Sequence, residues 1–180
     1  METIPSTQSS DRNLIILIIL SIVFGLLFIA AVIFTFISLR PFEVKGEAMS
    51  PNHPDGQYFL ANQLDKNMQK GKIVIFKAPP EPDKDYVKRV IGLPGDTLLL
   101  KDGNVYLNGN LLDESSYLIP GTKTYAGSFL KDGQIITIPK DKYFMMGDNR
   151  NNSFDSRDYG FVPKDYIVGS FLLCYVKCPK

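Results

Sequence analysis

Lys88 lies inside Tyr86-Val87-Lys88-Arg89-Val90-Ile91-Gly92-Leu93-Pro94-Gly95-Asp96, a strand-like stretch of β-branched and aromatic residues that ends in a Gly- and Pro-marked turn. A lysine amine has an ordinary pKa near ~10.4, and desolvation can lower it by up to roughly 3 to 5 units. A lysine so placed is a candidate general base. The same pattern also suits a lysine on the solvated face of a half-buried strand, or one snorkelling past apolar neighbours. The single histidine, His53, sits in a Pro-Asn-His-Pro-Asp turn and is expected to have no catalytic role.

Two further stretches accompany the lysine. Gly46-Glu47-Ala48-Met49-Ser50-Pro51 precedes it, and Gly147-Asp148-Asn149-Arg150-Asn151-Asn152-Ser153-Phe154-Asp155-Ser156-Arg157 follows. In order and content the three resemble the boxes of type I signal peptidases, serine-lysine peptidases whose nucleophile box reads Ser-Met-x-Pro. The resemblance runs along nearly the whole chain after residue 40 and departs at one position, where Ala48 stands for the family's serine.

The resemblance implies a mechanism in which a serine hydroxyl attacks the scissile carbonyl and a lysine amine takes its proton, without histidine, metal or cofactor. Lys88 would be the base and Ser153 would hydrogen-bond and orient its amine. The backbone N–H of position 48, with help near Gly46, would stabilise the tetrahedral oxyanion. Arg89, Asp148, Asn149, Arg150, Asp155 and Arg157 match the family's structural shell, and a solvated charged loop is the plainer alternative for them. Phe42, Val44, Met49, Tyr86 and Val87 match positions lining the family's small apolar pockets, though each suits ordinary core packing equally well. An extended substrate would add along residues 42–48 and 86–88 through main-chain hydrogen bonds. Substrates would then be signal-peptide-bearing preproteins ending in Ala-x-Ala.

Ala48 has no hydroxyl, so the chain as it stands is expected not to cleave. Ser50, the nearest hydroxyl, occupies the family's variable position and would need a register shift. Either the serine has been replaced, leaving an inactive substrate-holding form, or the chain is a natural pseudo-peptidase that binds preproteins or regulates an active paralogue. Retention of Lys88 and Ser153 favours the first. A membrane-anchored β-domain that only binds a partner is a third reading. The lysine base resembles the bacterial and organellar branch rather than the endoplasmic-reticulum branch, which uses histidine there. Self-cleaving regulators share the dyad but lack the anchor and the Gly-Asp-Asn-Arg box.

These residues need elements to hold them. The formal net charge of +1 over 180 residues gives no excess that would point to nucleic acid. Residues 1–13 read as a short polar tail, expected to be mobile and, by the resemblance, cytoplasmic. Residues 14–39 are an uncharged, mostly apolar run long enough to span roughly 30 Å of hydrocarbon. No small-x-small cleavage site follows, so a retained transmembrane helix is expected. The flanking charges do not settle its orientation. The resemblance implies a plasma-membrane protein with an extracytoplasmic body, 40–180, and the secretion translocon as a candidate partner.

The body reads as mainly β: a folded antiparallel sheet or barrel, with strands at 57–61, 72–76, 87–91, 97–100, 105–107, 135–138, 143–146 and 167–176. Asp55-Gly56, Asp102-Gly103, Asn108-Gly109 and Asp132-Gly133 are turn pairs of the hairpin kind. Residues 78–85 read as a proline-rich loop, and 113–131 as an irregular insertion or long hairpin, compact beside the large extra domain of Gram-negative relatives. Cys174 and Cys178 would be ~13 Å apart in an extended strand. Two free thiols are expected, unless the chain bends after Val176. A patch around Met49 and Phe42 is expected to dip into the bilayer surface.

Overall fold

The computed structural model describes residues 7–179 and divides into two compact units, residues 7–38 and 39–179. The first is one helix, α1 (Thr7–Ser38). Its segment Arg12–Ser38 is long and apolar enough to cross a membrane, and its most apolar stretch has no buried residue. A helix exposing Leu, Ile and Phe on every side suits lipid rather than water. Residues 7–13, expected as part of a mobile tail, instead continue the helix, and residues 1–6 of that expected tail lie outside the described residues. Leu39 opens a strand rather than closing the helix.

The body is built on antiparallel strands: β1 (Leu39–Glu43), β2 (Tyr58–Asn62), β3 (Ile73–Ala78), β4 (Glu81–Gly92), β5 (Thr97–Lys101), β6 (Asn104–Leu107), β7 (Asn110–Leu111), β8 (Ile135–Thr137), β9 (Lys142–Met146), β10 (Val162–Pro163) and β11 (Ile167–Val176). A one-turn helix, α2 (Ser156–Tyr159), precedes β10. Seven strands form one sheet in the order β1-β2-β11-β3-β4-β9-β10, and four form a second in the order β7-β6-β5-β8. The expected mainly β architecture is what forms, and its strands fall close to the expected segments.

Turn chemistry set two of the hairpins. Asp102-Gly103 and Asn108-Gly109 have φ of 53° and 76°, and 52° and 80°, the left-handed pairs that close β5 to β6 and β6 to β7. Asp55-Gly56 and Asp132-Gly133 instead return the chain from loops without closing a strand pair. Residues 113–131 are irregular as expected, with no strand among them.

Two expectations are corrected. The proline-rich loop is largely strand: residues 81–85 extend β4, paired to Lys77 and Ala78 across a bulge. β9 pairs only with residues 89–92 of β4, so Pro82 sits where no partner on that side needs its missing N–H. Cys174 and Cys178 are joined in a disulfide, their Cα atoms 5.6 Å apart. β11 stops at Val176 and Lys177 adopts φ 52°, so the chain bends where an extended strand would have kept the sulfurs apart.

Three apolar clusters fill the body. One lies between the sheets around Leu98, Leu100, Phe144 and Met146. A second surrounds Val74, Phe76, Val90 and Met145. The third, around Val44, Phe59, Ala61 and Ile75, underlies the segment that carries position 48.

Candidate active site

Position 48 is the apex of a loop between β1 and β2. Val44 N–H donates to Gln57 O and Gly56 N–H returns to Val44 O, both at 2.8 Å, so the loop closes at its base. Gly46 turns at φ 82°, a conformation that favours glycine, and donates its N–H to Asp55 Oδ1 at 2.7 Å. That N–H is therefore engaged within the loop. His53 N–H donates to Met49 O at 2.9 Å. Ala48 O accepts from Asn149 N–H at 3.0 Å, tying the loop to the third box. The Ala48 N–H has no acceptor among the described residues.

Glu43, Val44, Lys45, Gly46, Ala48 and Met49 line one wall of a cavity of about 260 Å³, and Asp85, Tyr86, Val87 and Lys88 line the other, with Phe154 at its edge. Lys88 and position 48 thus face the same space. β4 is central in the sheet, and its residues from Lys88 to Gly92 are buried, which takes the Lys88 amine out of water. Burial brings its pKa down to about 8; the nearby Asp155 carboxylate opposes the drop, Arg157 adds to it and Asp148 opposes it. The ammonium lies over the Tyr86 ring, 5.2 Å from its centroid. Among the described residues Lys88 Nζ has no hydrogen-bond or ion-pair partner.

Ser153 Oγ is buried and also without a hydrogen-bond partner. It sits against Gly147: a Cβ built there would clash with both Ser153 Oγ and Ala48 O. Only glycine lets the third box pass this close to both. The bond expected from Ser153 to the Lys88 amine is not made in this structure.

Three buried ion pairs hold the third box. Arg89 on β4 grips Asp148 with two bonds, Nε to Oδ1 at 2.7 Å and Nη2 to Oδ2 at 2.6 Å, and stacks on Tyr117. Asp155 caps α2 and pairs with Arg157 Nε and Nη2 at 2.8 Å, while accepting from Gly147 N–H. Burial pushes the Asp155 carboxyl up, but the Arg157 bonds and backbone donors outweigh it and hold the pKa below the usual carboxylate range. Arg150 pairs with Glu114 and donates to Thr124 Oγ1 at 2.7 Å and Gly147 O at 3.0 Å. The alternative of a solvated charged loop fails here, because these side chains are buried and paired.

Of the expected pocket residues, Val44, Met49, Tyr86 and Val87 line the cavity. Phe42 does not; it stacks on Phe59, 6.0 Å between centroids, and packs on the third cluster. Met49 is buried, so the expected bilayer patch around it is not exposed. Phe154 was not read from the sequence as a lining residue, although a large aromatic between Ser153 and Asp155 was a signal for one. Ser50 donates to the Glu47 carboxylate and lines a different, smaller cavity with Pro51, Tyr117 and Asn149, away from Lys88. His53 is buried and bonded to Gln57. Among the described residues, no group of three or more His, Cys, Asp or Glu is placed to hold a metal ion.

The family described as "Signal peptidase, peptidase S26" matches residues 15–176. Signal peptidase I P of Bacillus subtilis subsp. natto is 39% identical over 137 residues, covering 73% of this chain and 73% of that protein. Signal peptidase IB of Staphylococcus aureus (strain Mu50) is 38% identical over 145 residues, covering 73% of this chain and 74% of its own length. Among solved structures, a signal peptidase I from Enterococcus faecalis V583 matches at 28% identity with a TM-score of 0.48, over 59% of this chain and 97% of that one.

Proposed function

This chain belongs to the signal peptidase family, peptidase S26, and from that premise we propose that its body is a serine-lysine endopeptidase site in which Ala48 occupies the nucleophile's position. Family membership makes it a membrane-anchored protein of a signal-peptide-removing hydrolase class. The observation that carries the finer reading is the amine of Lys88, desolvated, unpaired and facing the cavity that position 48 also lines.

With serine at position 48, the hydroxyl oxygen attacks the scissile carbonyl and its proton passes to neutral Lys88 Nζ. The free N–H of residue 48 donates to the oxyanion as it forms. Gly46 contributes the turn that aims this N–H, its own N–H being held by Asp55. The ammonium of Lys88 returns the proton to the leaving amine, giving an acyl-enzyme and a free mature N-terminus. Water, deprotonated by Lys88, then releases the signal peptide. Ser153 takes up the Lys88 amine once the site is loaded, an idea supported by its buried, unsatisfied hydroxyl beside Gly147.

Substrate enters as an extended strand between residues 43–46 and β4 residues 85–88, and the small apolar space formed by Val44, Met49 and Val87 favours Ala-x-Ala junctions. The body is extracytoplasmic and the N-terminus cytoplasmic. The disulfide supports this, since such bonds persist in oxidising compartments. The translocon stays a candidate partner. As given, the chain holds preproteins without cleaving them.

The test places the chain, its Ala48→Ser form and an Ala48→Ser/Lys88→Met form in detergent with a preprotein bearing an Ala-x-Ala junction. Cleavage by the serine form alone is expected. If all three bind the preprotein and none cleaves it, the second reading holds: a pseudo-peptidase, already favoured by Ala48 itself and by the unmade Ser153 bond. Cleavage by the chain as given would transfer the nucleophile's role to another residue.

A further inference from the structure

The loop that carries position 48 has a second support besides the charged shell, to which Asn52 ties it by donating to Asp148 Oδ2 at 2.8 Å. Gln57, at its base, is fully buried and uses both ends of its amide. Nε2 donates to Cys174 Sγ at 3.2 Å, and Oε1 accepts from His53 Nδ1 at 2.7 Å. His53 is buried in turn, its ring edge-on to Phe171 at 4.9 Å, and its backbone N–H holds Met49 O, one residue from position 48. A continuous path therefore runs from the disulfide through Gln57 and His53 to the loop's apex. The C-terminal bend adds to it: Lys177 packs on Gly56 and points its amine at Asp55 O, and Asp55 holds Gly46.

We propose that the Cys174–Cys178 disulfide fixes the nucleophile loop through Gln57 and His53, making these two side chains positioning residues and the loop's rigidity dependent on oxidation of the cysteines. The physical reason is geometric. β11 outruns β3 after Ser170, so its second half is held on one side only, by β2. The disulfide closes the bend at that unsupported end and keeps Sγ where the Gln57 amide can reach it. Without it the end frays, Gln57 loses one partner, and its hold on His53 loosens. A buried amide left half-satisfied is costly, which favours local opening. The link to catalysis rests on the serine-lysine reading; the bracing does not.

The experiment is amide hydrogen exchange on the full chain in detergent, oxidised, reduced with a phosphine, and as the Cys174→Ser/Cys178→Ser form. Gln57→Met, which keeps the volume and removes both bonds, is measured in the oxidised state. Exchange of the amides of Val44, Gly46, His53, Gly56 and Gln57 is expected to rise about tenfold on reduction, in the cysteine variant and in Gln57→Met, the scale of one lost hydrogen bond. Strands β3 and β4 keep their protection. Combining Gln57→Met with reduction adds little, because both break one path.

In the Ala48→Ser background the same changes lower kcat/KM about tenfold, through kcat because position 48 shifts and through KM because residues 43–46 of the same loop flank the substrate strand, while the pH dependence set by Lys88 on β4 stays where it was. If that serine form is inactive throughout, the exchange arm alone decides. Unchanged loop exchange would overturn the proposal, as would an equal loss of protection across the whole body, which would make the disulfide a general staple. Should the cysteine variant not fold, reduction of the folded chain and Gln57→Met give the answer.

Discussion

A buried lysine amine without a counter-charge is a liability below its pKa, and this gives Lys88 a signature separate from any reaction. Its pKa in the folded chain, about 8, lies below the ordinary 10.5 because of burial. Between those values the folded state has released a proton that the unfolded chain still holds, so stability rises with pH from about 8 to about 10.5. Below 8 the penalty is fully present, at roughly 3 kcal/mol for a shift of this size. Lys88→Met should therefore be more stable than the parent at pH 7, with the gap closing toward pH 10 in urea titrations. Parallel curves would mean the amine is solvated. In the Ala48→Ser form kcat/KM should climb through the same pKa and level off above it, the neutral amine being the competent base. Gly147→Ala tests the neighbouring contact: its methyl would meet Ser153 Oγ and Ala48 O, costing about 1 to 3 kcal/mol and displacing both. The strand that carries Lys88 was legible in the sequence because its neighbours are local, whereas pairing that lysine with position 48 rested on the resemblance of their boxes. The state of Ser153 was not, since an unmade hydrogen bond leaves no mark on residue order.

What holds those residues is a set of elements braced by charge. Arg89 comes from β4 and Asp148 from the turn after β9, and they meet because β4 and β9 pair in register at Arg89 and Met146. Asp148→Asn removes the partner of a buried guanidinium and is expected to cost about 3 to 5 kcal/mol, read from the urea midpoint. Replacing Arg89 as well, with methionine, should recover part of that loss, because the uncompensated charge is then gone. The insertion 113–131 belongs to the same system: Glu114 and Thr124 bind Arg150, and Phe129 and Leu130 donate their N–H groups to Arg157 O. Sequence spacing marked this segment only as irregular, since its partners lie some 26 to 36 positions away. Strands with Asx-Gly turns between them were legible for the opposite reason, their pairing being local. The N-terminal extension of β4 and the bend that lets Cys174 meet Cys178 were missed because prolines and strand propensity both pointed away from them. An edge without a partner tolerates Pro82, and a single residue of positive φ, Lys177, undoes the extended spacing.

On the scale of the molecule, the body from residue 39 contains all three apolar clusters, so its stability should not depend on the helix. A chain of residues 39–180 is expected to melt within roughly 2 to 4 °C of the full chain, the shift that about 1 kcal/mol gives at this size. The body also keeps an apolar surface of its own. Leu172, Leu173, Tyr175 and Val176 on β11 are each more than 40% exposed, and Tyr58 on β2 flanks them. Two bulges in the β11–β2 ladder break the alternation that would have turned every second side chain inward. Four large apolar side chains in one short stretch of a membrane-anchored protein suit the interfacial layer of a bilayer better than water. The 39–180 chain should accordingly sediment in part with phosphatidylcholine vesicles although it lacks the helix. Leu172→Glu/Tyr175→Glu should abolish that sedimentation with little change in melting temperature, because exposed positions contribute little to packing. Vesicle binding that survives both substitutions would move the lipid contact to another face of the body, and binding absent from the outset would assign all membrane affinity to the helix.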